Sequence, residues 1–186
     1  MNTRHNLGVI HGRFQILHLD HLEYLLTGKK RCEHLVVGIT NPDPSLSRED
    51  PADPGRSAPE ANPLTYFERY TLVRSVLTEA DISEDTFSVV PFPVNQPRLY
   101  GHYVPLEACF FLTIYDEWGR KKLDTFRSLN LHTEILWERT PETKGISAST
   151  VREKMLEQEP WRHLVPNACA ELMQAWSVPR RLRDLA

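Results

Sequence analysis

Short apolar runs alternate with amphipathic segments along most of the chain, and this alternation predicts strands separated by helices. The first run, residues 7–10, is continuously apolar and is broken by His11, a pattern typical of a strand buried on both faces of a parallel sheet. Leucines then recur at helical spacing over residues 19–30, and a second apolar run follows at residues 34–40. Strand, helix and strand within about 35 residues predict a right-handed βαβ unit.

The alternation continues towards the end of the chain. Further helices are predicted over residues 65–77, 117–128, 147–157 and 167–176, and further strands over residues 86–90, 109–115 and 132–137. Five strands separated by helices predict an α/β fold with a doubly wound, Rossmann-like, five-stranded parallel sheet. We expect residues 1–186 to form this single domain, with a C-terminal helix and tail over residues 164–186.

A proline-rich segment interrupts the pattern between residues 41 and 63. It holds six of the fourteen prolines and almost no large apolar side chain, so it cannot supply a core. It also follows the carboxyl end of a predicted strand, where ligands bind in open α/β sheets. Two interpretations stay open for this segment, a lid over a binding site and an insertion without function.

Composition excludes several classes of protein. With 22 basic and 25 acidic residues the net charge is -3, which argues against a dedicated nucleic-acid binder. The three cysteines, an odd number without CxxC spacing, argue against a disulfide framework and fit a reducing cytoplasm. We find neither a signal peptide nor an apolar run of about 20 residues, so we expect a cytoplasmic protein without a membrane span. The basic tail, Arg180, Arg181 and Arg183, is interpreted as a solvated terminus.

The loop after the first predicted strand carries a phosphate-binding pattern. Gly12 lets the backbone approach a ligand, and the helix that follows offers free N–H groups at its N-terminus. His18 and His21, three residues apart, can both donate hydrogen bonds to phosphate oxygens, and Arg13 adds a cation. Each of these residues has an ordinary structural explanation when taken alone. Two histidines without a third ligand make an incomplete zinc site, so no metal site within the protein is predicted.

A second polar cluster lies near the C-terminus, at residues 144–152. Ser147 is a predicted helix N-cap, and Lys144, Ser149 and Arg152 add hydroxyl and cationic groups suited to the outer phosphates of a nucleotide. A role of Ser147 in capping alone stays open.

These two clusters together resemble the motifs of the nucleotidyltransferase superfamily. Residues 12–21, GRFQILHLDH, are similar to G-R-F-x-P-x-H-x-G-H, and most of all to the G-R-F-Q-P form of nicotinamide-mononucleotide adenylyltransferases. Residues 146–152, ISASTVR, are similar to the second motif, I-S-x-T-x-x-R. The chain departs from the first motif at Ile16, where the family has Pro, and at Asp20, where it has Gly.

The resemblance implies a Rossmann-like enzyme in which a mononucleotide phosphate attacks the α-phosphorus of ATP and releases pyrophosphate, with Mg²⁺ bound through the ATP phosphates. The implied catalytic residues are His18, His21, Arg13 and Arg152. The implied nucleotide- and phosphate-binding residues are Gly12, Phe14, Gln15, Lys144, Ser147 and Ser149. Candidate acceptor-binding residues are Asn41, Arg69, Asp116 and Trp118. Trp118 either stacks on the pyridinium ring of the acceptor or packs against the sheet.

Asp20 places a carboxylate where the resembling enzymes have glycine. It is interpreted as a helix cap that forms a capping-box-like pair with Glu23. The alternatives are that Asp20 binds Mg²⁺, or that it has lowered catalysis and left a nucleotide-binding module.

Three functions therefore stay open. The main prediction is an adenylyltransferase that makes NAD from ATP and nicotinamide mononucleotide. The first alternative is an adenylyl- or cytidylyltransferase acting on another phosphorylated small molecule, and the second is a catalytically silent nucleotide sensor. All three functions predict small-molecule partners, and none predicts binding to nucleic acid or to a membrane. The preference for ATP or CTP and the formation of a homo-oligomer stay open.

Overall fold

The computed structural model describes residues 4–43, 57–140, 143 and 145–185. The strands are β1 (His5–Gly12), β2 (Cys32–Thr40), β3 (Phe87–Phe92), β4 (Cys109–Ile114) and β5 (Thr133–Glu138). The helices are α1 (Leu19–Arg31), α2 (Tyr66–Glu79), α3 (Glu117–Ser128), α4 (Ala148–Leu156), α5 (Asn167–Ala175) and α6 (Val178–Leu185). Short 3₁₀ turns lie at Pro59–Ala61, Glu84–Thr86, Pro97–His102 and Arg162–Leu164.

All neighbouring strands are parallel, in the order β3-β2-β1-β4-β5. This confirms the predicted α/β fold with a doubly wound, Rossmann-like parallel sheet. The chain moves outward from β1 through β2 to β3 and then returns to place β4 on the other side of β1. Ligands bind at such a reversal of strand order, outside the carboxyl ends of the strands.

The two strands at this reversal separate before their carboxyl ends. Their pairing covers Gly8 with Cys109 and Val9 with Phe110. The hydroxyl of Tyr24, from α1, lies in the resulting gap, where it donates to the carbonyl oxygen of Phe111 at 2.9 Å and accepts from the backbone N–H of His11. A buried tyrosine thus supplies the hydrogen bonds that the strands do not make to each other, because buried backbone groups need partners.

Alternate residues of the sheet fill two separate cores, as expected for strands buried on both faces. Ile10 and Val37 face a large core that helices α1, α2, α4, α5 and α6 cover, whereas Val9 and Val36 face a smaller core closed by α3. Ring contacts dominate the smaller core. The members of this aromatic cluster are Phe92, Tyr100, Phe110 and Phe126.

The basic C-terminus is a packed helix, so the prediction of a solvated tail is wrong. Val178 and Leu182, one turn apart on α6, are fully buried against the large core. Arg181 makes a two-pronged ion pair with Glu68 on α2, both N···O distances being 2.8 Å, and donates to the carbonyl oxygen of Pro63 at 2.9 Å. The helical spacing of apolar residues in the tail is therefore a better guide to its packing than its charge.

Only the ends of the proline-rich segment lie within the described residues. Asn41 to Asp43 follow β2, and the short turn Pro59–Ala61 leads to α2 with Ala61 buried. The interpretation of residues 41–63 as a lid depends on residues 44–56, which lie outside the described residues. Within the described chain, no helix has the length and apolar character that a membrane crossing requires.

We expect Arg181→Met to lower the free energy of unfolding by about 2 kcal/mol at neutral pH, a typical value for hydrogen bonds to a charged group. Burial alone would raise the pKa of Glu68, but hydrogen bonds from Arg181 and Thr65 hold it below its ordinary value. The stabilisation is therefore present above the pKa of the unfolded chain, about 4.3, and is lost as the pH falls through the folded pKa.

Urea unfolding at pH 7 and pH 3 measures this difference. The matched control is Arg180→Met, because Arg180 lies 3.9 Å from Asp184 in an exposed pair that contributes little. Equal losses from Arg181→Met at both pH values would contradict the assignment.

Candidate active site

A cavity of about 400 Å³ opens at the carboxyl ends of β1 and β4, where the strand order reverses. It is lined by His11, Gly12, Arg13, Phe14, Gln15, His18, Asp20, His21, Tyr24, Thr40, Thr113, Tyr115, Asp116, Trp118, Lys122, Ile146, Ser147, Ala148 and Ser149. The structure thus brings together the first loop, the N-terminus of α4 and the start of α3. These segments lie far apart in sequence, and residues of both motifs line the same cavity.

The first loop is folded around the ring of Phe14. Phe14 has a φ of +53°, an uncommon backbone conformation for a bulky residue. Its ring lies so close to Gly12 that a Cβ at that position would stand 2.9 Å from ring atom Cζ. The same ring makes an edge contact with His21, with centroids 5.2 Å apart. Gly12 is therefore required by the packing of the loop itself, in addition to any approach of a ligand.

His18 and His21 form the N-terminal cap of α1. The N–H of His21 donates to Nδ1 of His18, and the N–H of His18 donates to Nδ1 of His21, each at 3.4 Å. The rings stack with centroids 3.7 Å apart. Because Nδ1 accepts in both rings, each neutral imidazole carries its proton on Nε2. The cap thus sets both histidines in the tautomer that donates from Nε2.

Arg69 holds the backbone of this site and does not line the cavity. Its side chain is only 3% exposed and donates to the carbonyl oxygens of Thr40 at 2.8 Å, Asn41 at 2.8 Å and Arg13 at 3.1 Å. Burial lowers its pKa to about 10, so the guanidinium stays charged at neutral pH. Arg69, predicted to contact the acceptor, instead joins the ends of β1 and β2. Asn41, predicted for the same role, contributes a carbonyl to this clamp and is not among the lining residues.

A second buried arginine holds the other side of the loop. Arg152, 9% exposed, donates to the carbonyl oxygen of Gln15 and to the hydroxyl of Ser149, the latter at 3.4 Å. The side-chain amide of Gln15 is paired with the backbone of Leu64 in both directions, each at 2.9 Å. Arg152 and Gln15, predicted as catalytic and nucleotide-binding residues, therefore both position the loop. The thiol of Cys169 adds a contact to the carbonyl oxygen of Leu17 at 3.2 Å.

The second motif presents the N-terminus of α4 to the cavity. Ser147 is the N-cap, and its Oγ accepts from the N–H of Thr150 at 3.1 Å, as predicted. Ser147, Ala148 and Ser149 all line the cavity, which places the positive end of the helix dipole beside the loop. Lys144, predicted to bind phosphate, lies outside the described residues. Arg13 also lines the cavity and donates to Asn62 Oδ1 at 3.4 Å.

Asp20 joins the two motifs. Its Oδ2 accepts from the N–H of Ile146 at 3.1 Å, and Gly145, at a φ of +69°, lies so close that a Cβ there would clash with that oxygen. The interpretation of Asp20 as the cap of α1 with Glu23 is wrong, because His18 is the N-cap and Glu23 pairs with Arg139 at 2.9 Å. Burial raises the pKa of Asp20, although the hydrogen bond from Ile146 opposes this shift.

The α3 side of the cavity is formed by the N-cap of that helix and by a lysine that contacts a tryptophan ring. Asp116, predicted to bind the acceptor, is the N-cap of α3 and accepts from the N–H of Gly119 at 2.9 Å while still lining the cavity. The ammonium of Lys122 lies 4.1 Å from the centroid of the Trp118 ring. Trp118, for which stacking on a pyridinium ring was one alternative, therefore already contacts a cation of the protein on one face of its ring. Tyr115 accepts from Trp137 Nε1 at 2.9 Å.

His11 is one of several lining residues that sequence reasoning missed. It is 5% exposed, and neither ring nitrogen has a hydrogen-bond partner among the described residues. Burial lowers its pKa far below the ordinary value, and the nearby charge of Lys122 adds to this effect. A buried polar group without a partner costs about 1–3 kcal/mol. The signal in the sequence was a polar residue breaking an otherwise apolar strand directly before Gly12.

The carboxylates of the cavity accept hydrogen bonds from the backbone. Asp20 and Asp116, the two carboxylates among the lining residues, each accept a backbone N–H. A group of three donors, His5, Cys109 and His132, lies with its ligand atoms within 4.8 Å of one another. It is at the amino ends of the strands, at the opposite edge of the sheet. Burial raises the pKa of Cys109 to about 12, so this thiol stays protonated.

A family model described as cytidylyltransferase-like matches residues 9–154, most of the chain and both motifs. The chain belongs to the cytidylyltransferase-like family. It is 51% identical over 176 residues to the phosphonoformate cytidylyltransferase of Streptomyces viridochromogenes, a match that covers 95% of each chain. It is 25% identical over 181 residues to the nicotinamide-nucleotide adenylyltransferase of Thermococcus kodakarensis, covering 96% of this chain and 88% of the relative.

Among solved structures, the fold is similar to that of a bifunctional NMN adenylyltransferase/ADP ribose pyrophosphatase from Francisella tularensis. The TM-score is 0.66 at 15% identity, over 97% of this chain and 53% of that chain, so this likeness concerns the fold alone. Family membership makes the protein a nucleotidyltransferase. The prediction that it adenylylates nicotinamide mononucleotide is wrong, because a cytidylyltransferase shares twice the identity of the adenylyltransferases. The two motifs misled because they serve the phosphates that all members of the superfamily bind.

We expect Asp20→Asn to keep the affinity for nucleoside triphosphates within about twofold, because the amide oxygen can still accept from Ile146. Asp20→Ala removes this acceptor and frees the second motif from the first, so the affinity should fall by about tenfold. Calorimetric titration with CTP and ATP in the presence of Mg²⁺ measures both effects. Equal, large losses in Asp20→Asn and Asp20→Ala would mean that the carboxylate charge binds the metal.

Proposed function

We propose that the protein transfers a cytidylyl group from CTP to a small phosphonate or phosphate acceptor and releases pyrophosphate. The observation that carries this proposal is the 51% identity to a phosphonoformate cytidylyltransferase across 95% of both chains. The size of the cavity supports a small acceptor. About 400 Å³ is near the lower end of the range for small-molecule sites, roughly 300–1,000 Å³, which suits one nucleotide and a small second substrate better than two nucleotides.

The two sides of the cavity suggest how the substrates divide. The N-termini of α1 and α4 meet on one side, where His18, His21, Arg13 and the hydroxyls of Ser147 and Ser149 are suited to the triphosphate. The other side is formed by the ends of β1 and β4 and by the start of α3. We assign the acceptor to this side, so that the α-phosphorus would lie between the two.

The chemistry needs positioning and charge neutralisation more than a protein nucleophile. An anionic oxygen of the acceptor forms a bond to the α-phosphorus, the bond from that phosphorus to the bridging oxygen breaks, and pyrophosphate leaves with the electron pair. The acceptor oxygen is already ionised at neutral pH, so no general base is required. The Nε2–H groups of His18 and His21 would stabilise charge on the transferred and leaving phosphates.

Mg²⁺ is proposed to enter with the nucleotide. When bound, it would neutralise charge on the phosphate oxygens. The cavity fits such a complex, because Arg13, His18 and His21 offer cationic and imidazole groups to phosphates, and the two lining carboxylates, Asp20 and Asp116, each already accept a backbone N–H. The phosphates would then supply most of the ligands.

The silent-sensor alternative was motivated by Asp20 alone. In the structure this carboxylate holds the second motif against α1. This structural role is compatible with an active enzyme. No other described feature favours a sensor.

Pyrophosphate release with each of the four nucleoside triphosphates and with phosphonoformate, phosphonoacetate or nicotinamide mononucleotide tests the proposal, with ³¹P NMR to identify the product. We expect CTP with phosphonoformate to exceed every other nucleotide by about tenfold or more in kcat/KM. Greater activity with ATP than with CTP would refute the proposal. A failure of every phosphonate tested to give pyrophosphate release would also refute it.

A second experiment separates the chemistry of His18 from its structural role. We expect His18→Asn to lower kcat by roughly 100-fold, a typical loss for one donor to a phosphoryl transition state. Asn is a good N-cap, so α1 keeps its first turn and the melting temperature should change little. A loss of stability in proportion to the loss of turnover would make His18 a structural cap only.

A further inference from the structure

We propose that His11 and Lys122 form a subsite for the non-reacting oxyanion of the acceptor, with His11 donating a hydrogen bond to it. This inference rests on the proposed function and adds the group that recognises the acceptor. The chemical class it selects is a small acceptor that carries a second anionic group, such as a carboxylate, close to the attacking phosphonate.

The position of His11 points to a ligand. It is the penultimate residue of β1, on the sheet face that α3 covers, and it lines the cavity where β1 and β4 separate. Its ring lies between two phenylalanines, with centroids 5.6 Å from Phe92 and 5.4 Å from Phe126. A phenylalanine or leucine would fill this apolar site without leaving polar atoms unpaired. The histidine is thus the costlier choice for packing alone.

Both ring nitrogens of His11 lack a partner among the described residues, although the side chain is 5% exposed. Buried polar atoms in folded proteins are nearly always paired with protein or with bound molecules. A neutral imidazole always carries one N–H, and burial keeps His11 neutral. The unpaired N–H in the cavity wall therefore requires an acceptor atom, and an oxyanion of the substrate supplies one.

Lys122 supplies the charge of this subsite. Its ammonium is close enough to His11 to disfavour protonation of the imidazole. It also lies over Trp118, and this pair separates the active-site cavity from a second cavity of about 390 Å³ lined by Tyr100 and Phe126. An anion between His11 and Lys122 would meet a cation on one side and an N–H on the other.

Steady-state kinetics with CTP and phosphonoformate test the subsite. We expect His11→Phe to raise the KM for phosphonoformate by about tenfold or more, the usual effect of losing a hydrogen bond to a charged group. The KM for CTP should stay within about twofold, and the melting temperature should stay or rise. His11→Gln, which restores an N–H donor, should recover part of the loss. The matched control is His34→Phe on β2, since His34 bonds to Ser88 at 2.9 Å away from the cavity.

An unchanged KM for phosphonoformate in His11→Phe overturns the subsite, and so does an equal rise in the KM for CTP and phosphonoformate. A binding measurement keeps this result separate from the proposed function. The ring ¹⁵N resonances of His11, assigned with His11→Phe, are followed while phosphonoformate is added to protein that holds α,β-methylene-CTP.

A shift of the His11 resonances that orthophosphate does not reproduce supports the subsite even if the wild-type protein fails to release pyrophosphate, in which case only the proposed reaction fails. Unmoved resonances, in a protein that does turn over phosphonoformate, overturn the subsite and leave the proposed function standing.

Discussion

Two buried guanidinium groups hold the loop on which the rest of the site depends. Arg69 donates to the carbonyl oxygens at the ends of β1 and β2, and Arg152 donates to that of Gln15 in the middle of the loop. Charges taken out of water must recover their lost hydration from hydrogen bonds of good geometry. Carbonyl oxygens that would otherwise point into the core receive these bonds. The same contacts leave the loop with one conformation, in which His18 and His21 cap α1 and line the cavity.

The remaining parts of the site follow from this fixed loop. Because α1 begins at a defined place, Asp20 reaches the N–H of Ile146 and holds the start of α4 beside the start of α1. Gly145 provides the close approach that this contact needs. Two helix N-termini from distant parts of the sequence thereby converge on one volume, which suits a polyphosphate. The α3 wall, with His11 and Lys122, completes the cavity on the side that we assign to the acceptor.

The alternation of apolar runs and amphipathic segments was sufficient to predict the five strands and the parallel sheet, because strands and helices depend on local periodicity. The position of the site was predicted from the polar clusters at residues 12–21 and 144–152. The roles of individual polar residues were harder to predict. Arg69 was predicted to contact the acceptor and Arg152 to act in catalysis, yet both donate to carbonyls brought near only by the tertiary fold. Arg181 looked solvated because its partner, Glu68, is 113 residues away in sequence. The acceptor was mispredicted for a related reason, since the motifs describe the phosphates and His11 belongs to neither motif.

Hydrogen exchange of residues 12–18 in the wild-type protein and in Arg69→Met tests the central claim that buried arginines hold this loop. The account predicts that the wild-type loop is protected nearly as well as β1 and that Arg69→Met loses this protection while the sheet keeps its own. The affinity for CTP should fall together with the protection. A wild-type loop that exchanges freely, or one that stays protected in Arg69→Met, would contradict the account.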